Sequence, residues 1–380
     1  MKARKTMTKQ LSSKQIAALI KAVGHTRTIL VEGEFGIGKS SVFHTLAADP
    51  AFVSYHKAMV DCTNLSDGSV WMPDIDSARG VSRELPNERF GVHEENRAGV
   101  PGAVPVLMCL DEVAKTRRHI QDTLAPLVYE RRIGQHQFPQ GSIVFATTNL
   151  SEEGLGDSML QHMRNRLVIV QMRKPTKDEW VRDFAIPRGL NAEVIAAAEM
   201  YPMAFESFTD YRTGGAKAGR NLARDNPYIA DPSSQSQGQV VTPRSLHTAS
   251  DIVDAKDSMD EETLQCALSG ALGDAFAANI MTMIRFGQQL PTFERVMADP
   301  GGTKVPENAM AGMVQIFQFI KQVRNREQAE AASVYVERMK EELKSLFVNN
   351  ICLSNVALTV FGLSKTFGKL AAANTKYIGA

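Results

Sequence analysis

Gly33-Glu34-Phe35-Gly36-Ile37-Gly38-Lys39-Ser40 fits the pattern G-x-x-x-x-G-K-[ST] at every required position. Each position has a mechanical reason. Glycines let successive backbone N–H groups converge on phosphate oxygens, a lysine has the reach and charge for the β- and γ-phosphates, and a serine hydroxyl is a hard oxygen of the kind Mg²⁺ accepts. The candidate nucleotide-binding residues are therefore Gly33, Glu34, Phe35, Gly36, Ile37, Gly38, Lys39, Ser40 and Ser41, and the expected ligands are ATP and Mg²⁺. Thr28-Ile29-Leu30-Val31, just upstream, is a short β-branched and apolar run, and the residues after Lys39 return to a helical pattern through about Ala48. Strand, glycine-rich turn and helix is the context that the loop requires.

Downstream, Val106-Leu107-Met108-Cys109-Leu110-Asp111-Glu112 is an apolar strand ending in two carboxylates. A phosphate-cleaving site needs this pair: Asp111 to hold the Mg²⁺ shell together with Ser40, and Glu112 to polarise an attacking water. Ile143-Val144-Phe145-Ala146-Thr147-Thr148-Asn149 is another apolar strand with a polar end, where the Asn149 amide either touches the γ-phosphate and lytic water or only forms a turn. Further apolar runs at Ala58-Met59-Val60 and 167–171 are separated by segments long enough for helical crossovers. The pattern predicts an α/β fold with a mostly parallel sheet flanked by helices. Residues 64–105 are rich in Gly, Pro, Asp, Asn and Arg, and read as a partly irregular insertion at one edge of that domain.

Bulk properties narrow the class. The 380 residues have 43% hydrophobic content, enough for a buried core, and 43 Lys and Arg face 42 Asp and Glu, so no global charge draws the chain to nucleic acid or anionic membrane. Cys62, Cys109, Cys266 and Cys352 are too far apart for a C-x-x-C redox or zinc pattern. His25, His44, His56, His93 and His162 show no metal-ligand spacing. Neither a signal core nor a bilayer-length apolar run is present, and the expected location is the cytoplasm.

After Met172 the pattern becomes helical, with start signals at Thr176 and in the alanine-rich stretch 191–200. The expected organisation is a large α/β nucleotide-binding domain over 1–172, an α-helical lid over 173–290 with a loop insertion at about 208–240, and a helical C-terminal region over 291–380. Arg212, Lys217, Arg220 and Arg224 make a local basic cluster in that loop, read first as a solvated surface and second as a contact for an acidic partner or nucleic acid. Met313, Ile316, Phe317, Ile320 and Val323 keep helical spacing, as do Tyr335, Met339, Leu343 and Leu346. Both stripes read as core packing, with a docking face as the alternative.

Taken in order, the phosphate loop, the Asp111-Glu112 strand, the Thr147-Thr148-Asn149 strand, Met163-Arg164-Asn165-Arg166-Leu167 and Val241-Thr242-Pro243-Arg244-Ser245 resemble AAA+ ATPases of the MoxR-like or dynein-related branch. The segment from Glu130 through Pro139 is similar to the hairpin that precedes the sensor-1 strand in that branch, and Asp111-Glu112-Val113-Ala114-Lys115 is similar to its Asp-Glu-Ile-Asn-Arg motif. The resemblance spans about residues 12–256. It implies that Asn149 is sensor 1, that Arg244 is sensor 2, and that Arg166, or in its place Arg164, is an arginine finger acting on ATP held by a neighbouring subunit. A guanidinium suits that task because it stays charged and spans two phosphate oxygens.

The resemblance further implies a homo-oligomer, a hexameric ring or open helix, that remodels a client protein, in some relatives with a partner carrying a von Willebrand factor A domain. A nucleic-acid motor or loader is the weaker alternative, because no DNA-binding module is recognisable, and a nucleotide-controlled scaffold recruiting through the C-terminal helices is a third.

Overall fold

The computed structural model describes residues 9–66, 68–150, 159–212, 225–229 and 238–374. The chain divides into two compact units, Met1–Lys174 and Pro175–Ala380.

In the first unit, β1 (Ile29–Gly33), β2 (His56–Asp61), β5 (Val106–Asp111), β8 (Ile143–Asn149) and β9 (Val168–Gln171) form one parallel sheet in the order β2-β5-β8-β1-β9. All five were expected as apolar runs, and the reason is physical. Parallel strands with helices on both faces are buried on both faces, so they read as near-continuous apolar stretches. Val106 through Leu110 and all of β8 are buried. Alternate residues serve opposite layers. Ile29, Val31, Leu107, Cys109, Ile143 and Phe145 pack with α1 (Ser13–Val23) and α2 (Ser41–Ala47). Leu30, Met108, Leu110, Val144 and Ala146 pack with α3 (Arg118–Glu130) and with Met163 of α4 (Gln161–Arg164). Ser12 caps α1 through a capping box with Gln15.

The insertion at 64–105 has more order than its composition suggests. It contains an antiparallel hairpin, β3 (Trp71–Asp76) with β4 (Val81–Pro86), in which Met72 lies opposite Leu85 and Asp74 opposite Arg83. Met72, Ile75, Val81 and Leu85 are all exposed, so no inside–outside alternation marked these strands. A second, shorter hairpin, β6 (Arg132–Ile133) with β7 (His136–Gln137), precedes β8 where the resemblance anticipated one.

The second unit is helical. Thr176 caps α5 (Lys177–Trp180) through a capping box with Glu179, and Asn191 caps α6 (Ala192–Met200), which is buried around most of its circumference and packs on the helices Asp274–Gln288 and Ala309–Gln322. After α7 (Phe208–Arg212) come α8 (Pro243–Asp254), α9 (Glu261–Leu272), α10 (Asp274–Gln288), α11 (Phe293–Ala298), α12 (Ala309–Gln322), α13 (Arg326–Glu337), α14 (Glu341–Cys352), α15 (Asn355–Phe361) and α16 (Lys365–Ala373). Lys217, Arg220 and Arg224 of the basic cluster lie outside the described residues, as does most of the loop 208–240. Its described flanks are anchored: Asn226 Nδ2 donates to Met203 O at 2.7 Å, and Val241 N donates to Tyr228 O at 2.7 Å.

Both apolar stripes are core. Ile316, Phe317 and Val323 are buried, as are Tyr335, Met339 and Leu343. The second stripe is divided between α13 and α14 rather than carried by one helix, because the chain turns between Glu337 and Glu341 while keeping its apolar side inward. No single helix among the described residues is long and apolar enough to cross a membrane.

Candidate active site

The candidate site is built at the C-terminal ends of three adjacent strands. Register sets the geometry: β1 pairs with β8 so that Gly33 faces Asn149, and β5 pairs with β8 so that Leu110 faces Ala146. The strand carrying the asparagine thus lies between the strand that opens the glycine-rich loop and the strand that ends in paired carboxylates. One strand end can then touch both.

The loop from Gly33 to Ser40 leaves β1 and enters α2 at Ser41. Gly38 has φ of 93°, where a Cβ is strained, and that Cβ would lie 3.0 Å from Ser41 Oγ. Gly33 serves packing instead: a Cβ there would come within 2.8 Å of Ile37 Cδ1 and 3.0 Å of Met172 O. The Lys39 side chain returns into the loop. It is only 5% exposed, and its Nζ donates to Gly33 O at 3.0 Å, to Glu34 O at 2.7 Å and to Asn149 Oδ1 at 2.6 Å. A buried ammonium needs such partners, since burial without them costs several kcal/mol, as an order of magnitude. Glu34, Phe35, Gly36 and Ile37 form the rest of the loop, with Gly36 at φ 69°.

Ser40 Oγ donates to Asp111 Oδ1 at 2.7 Å, and the Thr147 hydroxyl donates to the same oxygen. Thr147 Oγ1 also accepts from the Glu112 backbone N–H at 3.2 Å. One threonine therefore fixes both carboxylate residues. Glu112 sits in the left-handed region, φ 56° and ψ 40°, a conformation that a non-glycine residue adopts only when its surroundings hold it there. Its Oε2 is shielded from solvent and accepts no hydrogen bond, and the cation Lys115 Nζ lies 3.4 Å away.

A hydroxyl and a carboxylate side by side are hard oxygens that fit Mg²⁺, which takes one or two protein ligands and completes its shell with water and phosphate. No group of three or more His, Cys, Asp or Glu among the described residues is arranged to hold a metal. Burial pushes the Cys62 and Cys109 thiols beside these strands up, which keeps them protonated.

The two candidate finger arginines separate. Arg164 Nη1 lies 2.9 Å from Glu32 Oε1, an ion pair that ties the end of α4 to the strand just before the phosphate loop. Arg166 is exposed, with its guanidinium stacked over the Tyr129 ring at 3.8 Å to the centroid. Arg244 belongs to the second unit, exposed on the first turn of α8, which Thr242 caps through a capping box with Ser245. Thr147 and Glu32 were not singled out in the sequence. Their signal was weak, a threonine in a β-rich run and an acid between apolar residues, and their partners are distant in the chain.

No protein-family model matches the chain, and no curated protein does. Among solved structures, the Thermotoga maritima RuvB Holliday junction branch migration motor is similar at 15% identity over 75% of this chain and 74% of that one, with a TM-score of 0.36. NtrX from Brucella abortus is similar at 13% identity over 91% and 69%, TM-score 0.33. The closed state of Hsp104 with ATPyS and FITC casein is similar at 16% identity, TM-score 0.33; 45% of this chain is covered, and the match spans only 35% of the Hsp104 chain. At such identities and scores these neighbours assign neither a family nor an activity to the chain.

Proposed function

We propose that this chain is an ATP-hydrolysing P-loop ATPase of the AAA+ class. The observation that carries the reading is the joining of three strand ends by two short hydrogen bonds, Lys39 to Asn149 at 2.6 Å and Ser40 to Asp111 at 2.7 Å. A nucleotide loop, a metal-ligand pair and a water-orienting amide are needed together for phosphoryl transfer to water, and here they are neighbours.

In this reading the loop N–H groups and Lys39 bind the phosphates. Ser40 Oγ and Asp111 would hold Mg²⁺, which would supply neutralisation of phosphate charge. Thr147 keeps the Asp111 carboxylate and the Glu112 backbone in fixed relation. Glu112 accepts a proton from the attacking water, and Asn149 orients that water or the γ-phosphate. Arg244, in the helical lid, is sensor 2.

Arg166 is the arginine finger acting in trans, because it is exposed, whereas Arg164 is engaged by Glu32 of its own subunit. A finger in trans requires an oligomer, a hexameric ring or open helix, with each site completed at an interface. The load is a partner protein or complex remodelled in the manner of MoxR-like relatives, with a von Willebrand factor A domain protein as the expected helper. This branch assignment is supported by Asp111-Glu112, by the hairpin before β8 and by Thr242-Pro243-Arg244.

The test is subunit mixing. Arg166→Ala is expected to lower turnover at least about tenfold and Glu112→Gln at least about a hundredfold. Mixed assemblies should recover hydrolysis, because an intact Glu112 in one subunit meets an intact Arg166 from the next. Absence of recovery in mixed assemblies shown to form would reject the trans assignment.

A further inference from the structure

The guanidinium of Arg166 rests against Tyr129 of its own subunit, a residue to which the proposed reaction gives no role. Arg166 Cζ lies 3.8 Å from the centroid of the Tyr129 ring, in van der Waals contact with its face. Among the described residues that guanidinium makes no hydrogen bond or ion pair. The Tyr129 hydroxyl is shielded from solvent and likewise makes no hydrogen bond among them, so the ring is the working part of the contact.

Both partners are fixed at the backbone. Tyr129 stands in the last turn of α3, and the chain on either side of it is held by distant segments. Val128 O accepts from Thr28 Oγ1 and from Arg131 Nη1, both at 2.6 Å, and Glu130 O accepts from Gln137 Nε2 at 2.6 Å. The same threonine sets the arginine: Thr28 O accepts from Val168 N at 3.0 Å, where the chain enters β9 two residues after Arg166. On the other side Arg166 N donates to Met163 O at 3.0 Å, Met163 is buried, and Arg164 is paired with Glu32. Ring and arginine backbone are thus joined through Thr28. What remains to be set is the direction of the long Arg166 side chain, and the ring sets it.

An aromatic face suits that task in a way that a carboxylate does not. Both attract the cation, but a carboxylate engages N–H donors of the guanidinium, as Glu32 engages one of Arg164 at 2.9 Å. A ring face attracts the charge through its quadrupole and engages none, so the planar fork of donors stays available to phosphate oxygens. We propose that Tyr129 is a positioning residue for Arg166: its ring holds the guanidinium ready for the ATP of the neighbouring subunit without occupying its donors. The proposal rests on the assignment of Arg166 as the finger in trans. A side chain ordered before the subunits meet loses less rotamer freedom on engaging the phosphates. A cation over a ring at an exposed site changes an equilibrium by roughly two- to fivefold.

Steady-state hydrolysis of MgATP by the full assembled chain tests this. Tyr129→Leu should lower kcat about two- to fivefold with KM unchanged, while Tyr129→Phe, which keeps the ring, should stay near the wild-type rate. Mixed assemblies of Arg166→Ala with Glu112→Gln subunits supply the readout that a merely structural role would not move. Tyr129→Leu added to the Glu112→Gln subunit, which provides Arg166, should lower the recovered rate about two- to fivefold. The same change added to the Arg166→Ala subunit should leave that rate as it was, because the side chain it positions is already gone. Equal falls in the two placements, a fall in neither, or a Tyr129→Phe rate as low as that of Tyr129→Leu would overturn the proposal. The parent mixture separates the two levels: no recovery there removes the trans finger and the role of Tyr129 with it. Recovery there beside any of the three overturning results rejects the role of Tyr129 alone.

Discussion

Lys39 and Arg131 are both buried cations at the ends of the same parallel sheet, and they face opposite ways in purpose. Lys39, at the C-terminal ends of the strands, donates to two loop carbonyls and to the Asn149 amide oxygen, beside Ser40, Asp111 and Glu112. Arg131, 8% exposed at the N-terminal ends, donates to Gly24 O, Thr28 Oγ1, Val128 O and Ser142 O. The oxygens around Arg131 are carbonyls and one hydroxyl, and burial lowers its pKa to about 10. Arg131 joins α1, β1, α3 and the start of β8, and its donors are spent on the fold. Lys39 sits among groups whose chemistry exceeds what the fold needs. Burial of a charge by itself therefore does not mark a functional site; the company it keeps does.

The contrast is open to breaking. Arg131→Ala should cost the first unit about 3 kcal/mol or more, since it leaves several buried acceptors without donors. Lys39→Ala should abolish binding of a fluorescent ATP analogue while shifting the unfolding midpoint far less. Equal destabilisation by the two variants, seen in chemical denaturation, would erase the distinction. A smaller effect is expected at the hinge between fold and chemistry. Thr147→Val keeps the shape of a β-branched side chain but removes the hydroxyl shared by Asp111 and Glu112, so turnover should fall about tenfold with nucleotide binding retained. A loss of binding equal to the loss of turnover would make Thr147 a packing residue only.

How much of this was readable beforehand depended on the kind of contact. The five strands of the sheet and the loop between β1 and α2 were readable because burial on both faces and a fixed motif leave local marks. The hairpin from Trp71 to Pro86 was not, since Met72, Ile75, Val81 and Leu85 are exposed and Pro73 interrupts any strand pattern. The roles of Arg131 and Thr147 carry little local mark, because their partners are set by the packing of distant segments. The choice between Arg164 and Arg166 stayed open in the sequence for the same reason, as Glu32 lies more than a hundred residues from the arginine it holds.

The smallest expected effect is an anionic counterpart in the second unit. Glu330 accepts from the hydroxyls of Thr366 and Ser364 and from the Thr366 backbone N–H, at the start of α16. Led by the Thr366 hydroxyl, these bonds hold its pKa at about 2. Because that lies below the ordinary carboxylate value of 4.5, the stabilisation is complete above about pH 4.5 and is lost as pH falls toward 2. For a half-buried group it amounts to on the order of 1 kcal/mol. Glu330→Gln should flatten the acid side of the stability profile between those values, and an unchanged profile would show that the helix start is held by other means.

The central claim, that the strand ends around Lys39 form a site for ATP hydrolysis with Glu112 as the base, is tested most directly by measuring bound nucleotide and phosphate release together for Glu112→Gln. This variant is expected to retain ATP as tightly as the wild type and to release phosphate at least about a hundredfold more slowly. Phosphate release at the wild-type rate, or failure to hold ATP at all, would contradict it.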